Sequence, residues 1–117
     1  MAREDYPLYV HWYATLDWIM DTCERYPKGV RFSLAARTLG HALDVMEGIV
    51  MAIYSRERDE ALRQVNLKLE LLRVHFRLAH DRQYLSTRQY EHIAGRLDEA
   101  GRMVGGWRKR GVETRDP

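Results

Sequence analysis

Apolar residues recur along this chain at spacings of three and four in successive blocks, and polar, proline- or glycine-marked breaks separate the blocks. That periodicity predicts helices over about 8–25, 30–54, 56–81 and 87–110, with no strand-like alternation anywhere. Tyr26-Pro27 ends the first helix, since proline disfavours a helical residue before it. Its core stripe is expected at Tyr9, Tyr13, Leu16, Met20 and Cys23, with Asp17, Asp21 and Glu24 as an acidic ridge alongside. Trp18 falls roughly opposite that stripe. It either folds back over its own helix or is buried by another chain, and the second reading is preferred because large aromatics concentrate in interfaces. The second helix carries Leu39, Ala42, Leu43, Met46, Ile49, Val50 and Ile53 on a broad apolar face. Ser55 is placed to cap the third helix, with Glu57, Asp59 and Glu60 suiting its positive end.

The third helix is apolar on two sides. Leu62, Val65, Leu69, Leu72, Phe76 and Ala79 form one stripe, and Leu67, Leu71, Val74 and Leu78 form another centred almost opposite. A helix with two opposed apolar faces is not satisfied on the outside of a small monomeric bundle. One face is expected to pack on the bundle and the other on a neighbouring subunit; the alternative is that the chain's own termini cover it.

The fourth helix begins with a complete start signal. Ser86 and Gln89 have capping-box spacing, and Leu85 and Tyr90 are placed as a hydrophobic staple. Tyr90, Ile93, Leu97, Ala100, Val104 and Trp107 share its core face, and Arg88, His92, Arg96, Arg102 and Arg110 lie mostly elsewhere. Ala94, Asp98, Gly101 and Gly105 leave one side nearly bare. Either another backbone approaches there, which would repay the roughly 1 kcal/mol that an interior glycine costs, or Gly105-Gly106 marks a fraying end. Residues 111–117 read as a disordered tail. Short connections make sequential helices antiparallel, so the fold class is all-α: one up-down-up-down four-helix-bundle domain over 1–117.

At 117 residues the chain buries one core. The net charge of +2 demands no nucleic-acid partner by itself, but the charge is unevenly spread. Arg3 and Arg25 stand against Glu4, Asp5, Asp17, Asp21 and Glu24, a balance of −3 for residues 1–27, which leaves +5 for the rest. A single cysteine rules out an internal disulfide and fits a reducing compartment. No apolar run approaches a signal peptide or a membrane span, so a soluble, cytoplasmic protein is expected.

Catalytic and metal-binding patterns are mostly missing. Glu-x-x-His pairs, as in carboxylate-bridged metal bundles, do not occur. Glu57 and Glu60 give one Glu-x-x-Glu spacing, as in all-α nucleotide pyrophosphohydrolases, without a second acidic pair. The histidines are scattered, and Cys23 reads as a small core hydrophobe. No metal, cofactor or catalytic residue is expected. Arg73 and His80 loosely match the Arg-x(4–6)-His spacing of HEPN ribonucleases, though Val74 follows the arginine where those enzymes carry a polar residue.

Tyr84-Leu85-Ser86-Thr87-Arg88-Gln89-Tyr90 and the continuation Leu97-Asp98-Glu99-Ala100-Gly101-Arg102-Met103-Val104-Gly105-Gly106-Trp107 resemble the end of the accessory variability determinant (Avd) family. Tyr9-Val10-His11-Trp12-Tyr13 and Leu43-Asp44-Val45-Met46-Glu47-Gly48-Ile49 fit it too, so the resemblance spans roughly residues 6–110. Its broader relatives include the small bundles encoded in ribosomal-RNA intervening sequences. The resemblance implies a non-enzymatic partner of the reverse transcriptase of a diversity-generating retroelement. It implies a ring-like homo-oligomer, expected to be a pentamer, whose basic surface meets the polymerase and template RNA. The contact residues expected from helical faces are Arg63, Lys68, Arg73 and Arg77 on the third helix and Arg88, Arg96, Arg102, Arg108, Lys109 and Arg110 on the fourth; the expected oligomer interface is Trp18, Leu67, Leu71, Val74 and Leu78. Such arginines bind phosphates rather than read bases, unless they form a solvated face or pair with Glu70, Glu91 and Glu99. The competing readings are a stand-alone bundle serving protein interactions and, less favoured, a HEPN-like ribonuclease.

Overall fold

A computed structural model describes the backbone of residues 2–115 and the side chains of residues 2–110. Four α-helices run in chain order: α1 Pro7–Glu24, α2 Ala36–Tyr54, α3 Arg58–Asp81 and α4 Thr87–Arg115. A 3₁₀ turn, Arg3–Asp5, precedes α1, and a 3₁₀ turn at Lys28–Val30 followed by a π-helical turn at Arg31–Ala35 leads into α2. No strand occurs among the described residues. Each helix packs on its sequence neighbours, and α1 also packs on α4. Paired residues give the directions. Tyr6 meets Trp107 and Trp18 meets His92 between α1 and α4, while Thr38 meets His75 and Gly48 approaches Val65 between α2 and α3. Arg108 pairs with Asp59 and His80 stacks on Tyr90 between α3 and α4. In each interface one number rises as the other falls, so these helices are antiparallel.

On α3 the expected stripe holds throughout. Leu62, Val65, Leu69, Leu72, Phe76 and Ala79 are all buried, as are Ile93, Leu97, Ala100, Val104 and Trp107 of α4. Both halves of the capping box form: Gln89 N donates to Ser86 Oγ at 3.1 Å and Ser86 N to Gln89 Oε1 at 2.9 Å. Leu85 is buried beneath the first turn, and Tyr90 is half-buried there. Before it, α3 closes in a Schellman arrangement: Tyr84 N bonds Ala79 O, Gln83 N bonds His80 O, and Gln83 takes the left-handed φ of 65° that this motif demands.

The first helix departs from its expected face. Its buried residues are Leu8, Trp12, Thr15, Ile19, Thr22 and Cys23, whereas Tyr13 is 62% exposed and Met20 also faces solvent. The periodicity is right, but the stripe turns about one residue around the axis. Hydrogen bonding explains the turn. Trp12 Nε1 donates to Ala42 O at 3.0 Å, and Thr15 Oγ1 donates to His11 O at 2.8 Å, so a tryptophan and a threonine are buried without orphaned polar atoms. A similar effect recentres α2 on Thr38, Ala42, Val45, Ile49 and Ala52, with Thr38 Oγ1 hydrogen-bonded to His75 Nδ1 and Leu43 turned outward. Ser55 Oγ accepts from Glu57 N at 3.0 Å, but α3 itself starts three residues later, at Arg58. Gly105-Gly106 does not end α4, which runs on to Arg115. The disordered tail expected from residue 111 therefore meets helical backbone to 115, and residues 116–117 lie outside the described set.

Candidate partner and nucleic-acid interface

The second stripe of α3 stands out in solvent. Leu67 is 53% exposed, Val74 65% and Leu78 48%, with Leu71 half-buried among them. Spacings of four, three and four place these side chains on one ridge along the helix. The chain's own described segments leave this ridge uncovered. Trp18 differs: it is half-buried, its ring centroid 5.0 Å from that of His92 on α4. Its own fold therefore holds one side of that indole.

The basic residues are far more committed at home than their spacing suggests. Lys68 pairs with Asp44 at 3.2 Å and Arg63 with Glu60 at 3.4 Å. Arg73 bridges Glu70, at 3.1 Å, and Asp98 of α4. Arg77 pairs with Asp81, Arg102 with Glu99 and Arg108 with Asp59. Burial is the largest single influence on Arg73 and lowers it, but the bonds it donates to Asp98 and Glu70, with their charge, outweigh that. The bond Arg77 donates to Asp81 raises Arg77, so both guanidinium groups sit above the usual arginine value. The Arg102 bond likewise pulls the Glu99 carboxyl below the usual range. Arg88 and Lys109 are exposed and make no ion pair with another described residue.

Arg96 has a structural task. It is half-buried, its Nε donating to Thr15 Oγ1 at 2.9 Å and its Nη2 to His11 O at 2.8 Å. His11 Nε2 returns a bond to Arg96 O at 2.9 Å. Together these bonds join α1 to α4, so a contact role for Arg96 would require breaking part of the fold. The bare side of α4 is also filled from within: the Arg73 guanidinium lies 3.4 Å from where a Gly101 side chain would begin. No backbone approaches there, whereas the space beside Gly105 is open.

The enzymatic patterns find little support in the geometry. Arg73 is held by two carboxylates, and His80 Nε2 bonds Thr87 Oγ1 at 3.2 Å while its ring stacks on Tyr90. Both members of the Arg73–His80 spacing are thus engaged within the fold. Burial pushes the Cys23 thiol up to about 11, so it is neutral at physiological pH and a poor nucleophile. No group of three or more His, Cys, Asp or Glu among the described residues is arranged to hold a metal ion, and no described helix is long and apolar enough to cross a membrane.

Two features escaped the sequence reading. His41 and His75 meet edge-on, with ring centroids 5.1 Å apart, within the influence of Arg37, and Lys68 Nζ lies 3.5 Å from His41 Nδ1. Arg58 lies over the Trp107 ring at 5.1 Å and donates to Ala52 O, clamping the start of α3 to the ends of α2 and α4. Neither arrangement follows a local spacing, because each joins residues from different helices.

A family model described as bAvd-like matches residues 10–111, nearly the whole bundle. The chain belongs to the bAvd-like family. The match spans α1 through most of α4 and bears out the resemblance carried by the Gly-Gly-Trp segment and the Ser86 capping box. No curated protein matches the chain. Membership in the bAvd-like family suggests an accessory role.

Proposed function

We propose that this bAvd-like protein is a non-catalytic accessory factor of a diversity-generating retroelement, binding its reverse transcriptase and template RNA to support mutagenic cDNA synthesis. The observation that carries the proposal is the family match over residues 10–111. The uncovered ridge of Leu67, Leu71, Val74 and Leu78 supports assembly into a ring-like homo-oligomer, with a pentamer the expected size; Trp18 is the weaker member of that surface because His92 already covers one side. Repeating Arg63, Lys68, Arg73, Arg77, Arg88, Arg102, Arg108, Lys109 and Arg110 around such a ring multiplies weak phosphate contacts into a binding surface. Expected surroundings are cytoplasmic.

Light scattering tests the assembly. The protein is expected to run as a multimer at micromolar concentration, and the combined change Leu67→Glu, Val74→Glu, Leu78→Glu is expected to return it to monomer without unfolding it. A monomeric unaltered chain sinks this half. For the other half, purified reverse transcriptase and template RNA from the same element are incubated with and without the protein; equal cDNA yield refutes the accessory role. Changing Arg102, Lys109 and Arg110 together to glutamate is expected to weaken RNA binding.

A second reading, a stand-alone bundle for protein interactions, draws on one observation: Arg63, Lys68, Arg73, Arg77, Arg102 and Arg108, more than half of the expected contact residues, already have carboxylate partners in the same chain. Absence of RNA binding even at low salt favours it.

A further inference from the structure

At the end of the bundle where α1 begins and α4 nears its close lies a cavity of about 360 Å³, lined by Tyr6, Pro7, Leu8, Arg102, Met103, Gly106, Trp107 and Arg110. Its size is within the range of small-ligand sites. The walls are apolar and aromatic: Tyr6 and Trp107 stand 5.2 Å apart at an interplanar angle of 33°, and half-buried Met103 adds a polarisable side chain. Both charged groups in the lining are arginines. Gly106 contributes no side chain, and the Arg110 guanidinium lies 3.3 Å from where one would begin, so it folds back across the bare helix surface. The Glu99 partner of Arg102 is no obstacle. That pair is exposed on both sides, and exposed pairs are worth little, so Arg102 exchanges its carboxylate for a phosphate at small cost.

We propose that this pocket receives one unstacked nucleotide of a single-stranded nucleic acid, its base against Tyr6 and Met103 and its phosphates on Arg102 and Arg110. The chemistry matches: a planar apolar group needs aromatic and thioether contacts, its phosphate needs guanidinium donors, and the cavity offers both within one nucleotide's reach. The inference rests on the accessory, RNA-binding reading and deepens it. A uniformly basic surface tracks any backbone, whereas this pocket makes binding depend on the presence of a base.

The test uses the full chain and short single-stranded RNA oligonucleotides, intact or with abasic positions, followed by fluorescence anisotropy. The intact strand is expected to bind roughly tenfold tighter than the abasic one, the scale of one base-stacking contact. Met103→Lys supplies the decisive sign. It adds positive charge but spoils the apolar wall, so intact RNA is expected to bind more weakly and abasic RNA at least as well as before. Because Met103→Lys changes a partly buried site, a second measurement uses the unaltered chain: 4-thiouridine in the strand is expected to crosslink at Tyr6, Met103 or Trp107. Equal binding of intact and abasic strands overturns the pocket while leaving RNA binding intact. So does tighter binding of both strands by Met103→Lys, or equally effective displacement by polyglutamate. Failure to bind any RNA or the reverse transcriptase refutes the accessory reading itself.

Discussion

Gly48 of α2 packs closely against Val65 of α3, and alanine there sets two effects of known size against each other. By helix propensity alone, Gly48→Ala stabilises by about 1 kcal/mol. The structure forbids that gain. A Cβ at this position would lie 2.6 Å from Val65 Cγ2, against the roughly 3.5–4.0 Å at which carbon atoms rest. Relief requires about 1 Å of separation. Val65 is 1% exposed and β-branched, so it has neither free space nor a ready alternative rotamer. Overpacking of this kind costs about 1–3 kcal/mol, which leaves a net destabilisation of up to about 2 kcal/mol. Urea unfolding followed by circular dichroism measures the difference. Val65→Ala is also expected to destabilise, but less in the Gly48→Ala background than alone, with a favourable coupling of about 1 kcal/mol. Stabilisation by Gly48→Ala, or strict additivity with Val65→Ala, refutes the close-approach argument.

Arg96→Ala is expected to lower stability by about 2 kcal/mol, because it removes two hydrogen bonds from a charged donor and leaves Thr15 Oγ1 and the His11 carbonyl with only their bond to each other; chemical denaturation checks this, and an unchanged midpoint refutes the clamp. His41 and His75 are both held below the ordinary histidine value, chiefly by burial, with Lys68 and Arg37 also lowering His41, and His41 and Arg37 also lowering His75; Asp44 pulls the other way at His41. The unfolded chain therefore binds protons first, so stability is expected to fall as pH drops through the unperturbed value near 6.5 and to level off below the lowered folded values. Thermal melts between pH 7.5 and 5 should show this slope, and it should flatten when both histidines are changed to glutamine. Gln83→Gly relieves a side chain from left-handed backbone and is expected to stabilise by up to about 1 kcal/mol, roughly 4 °C in Tm.

How legible each element was depended on whether local signals agreed with tertiary contacts. The core stripe of α3 was readable because apolar side chains at Leu62, Val65, Leu69, Leu72, Phe76 and Ala79 need no special partner to be buried. The start of α4 was readable because Ser86 and Gln89 satisfy each other within one turn. The expected face of α1 left out Thr15, and only the bonds to His11 O and Arg96 make Thr15 a core residue. Part of the pairing within the basic surface was hidden for a related reason. Arg73 with Asp98 and Arg108 with Asp59 join residues far apart in sequence, so no spacing along one helix announces them. The Tyr6–Trp107 pocket is hidden in the same way, since its walls come from opposite ends of the chain.

The self-paired cations also govern how binding would respond to ionic strength. A bare arginine that meets a phosphate releases a condensed counterion from the strand, contributing to a slope of about 0.7 per contact in log K against log salt on single strands. Arg63, Lys68, Arg73, Arg77, Arg102 and Arg108 must first let go of a carboxylate, which then gathers a cation of its own from solution. Ion uptake at the protein thus offsets ion release at the nucleic acid. A complex formed by such exchange is weaker at low salt than its arginine content suggests, yet loses less of its affinity as salt rises.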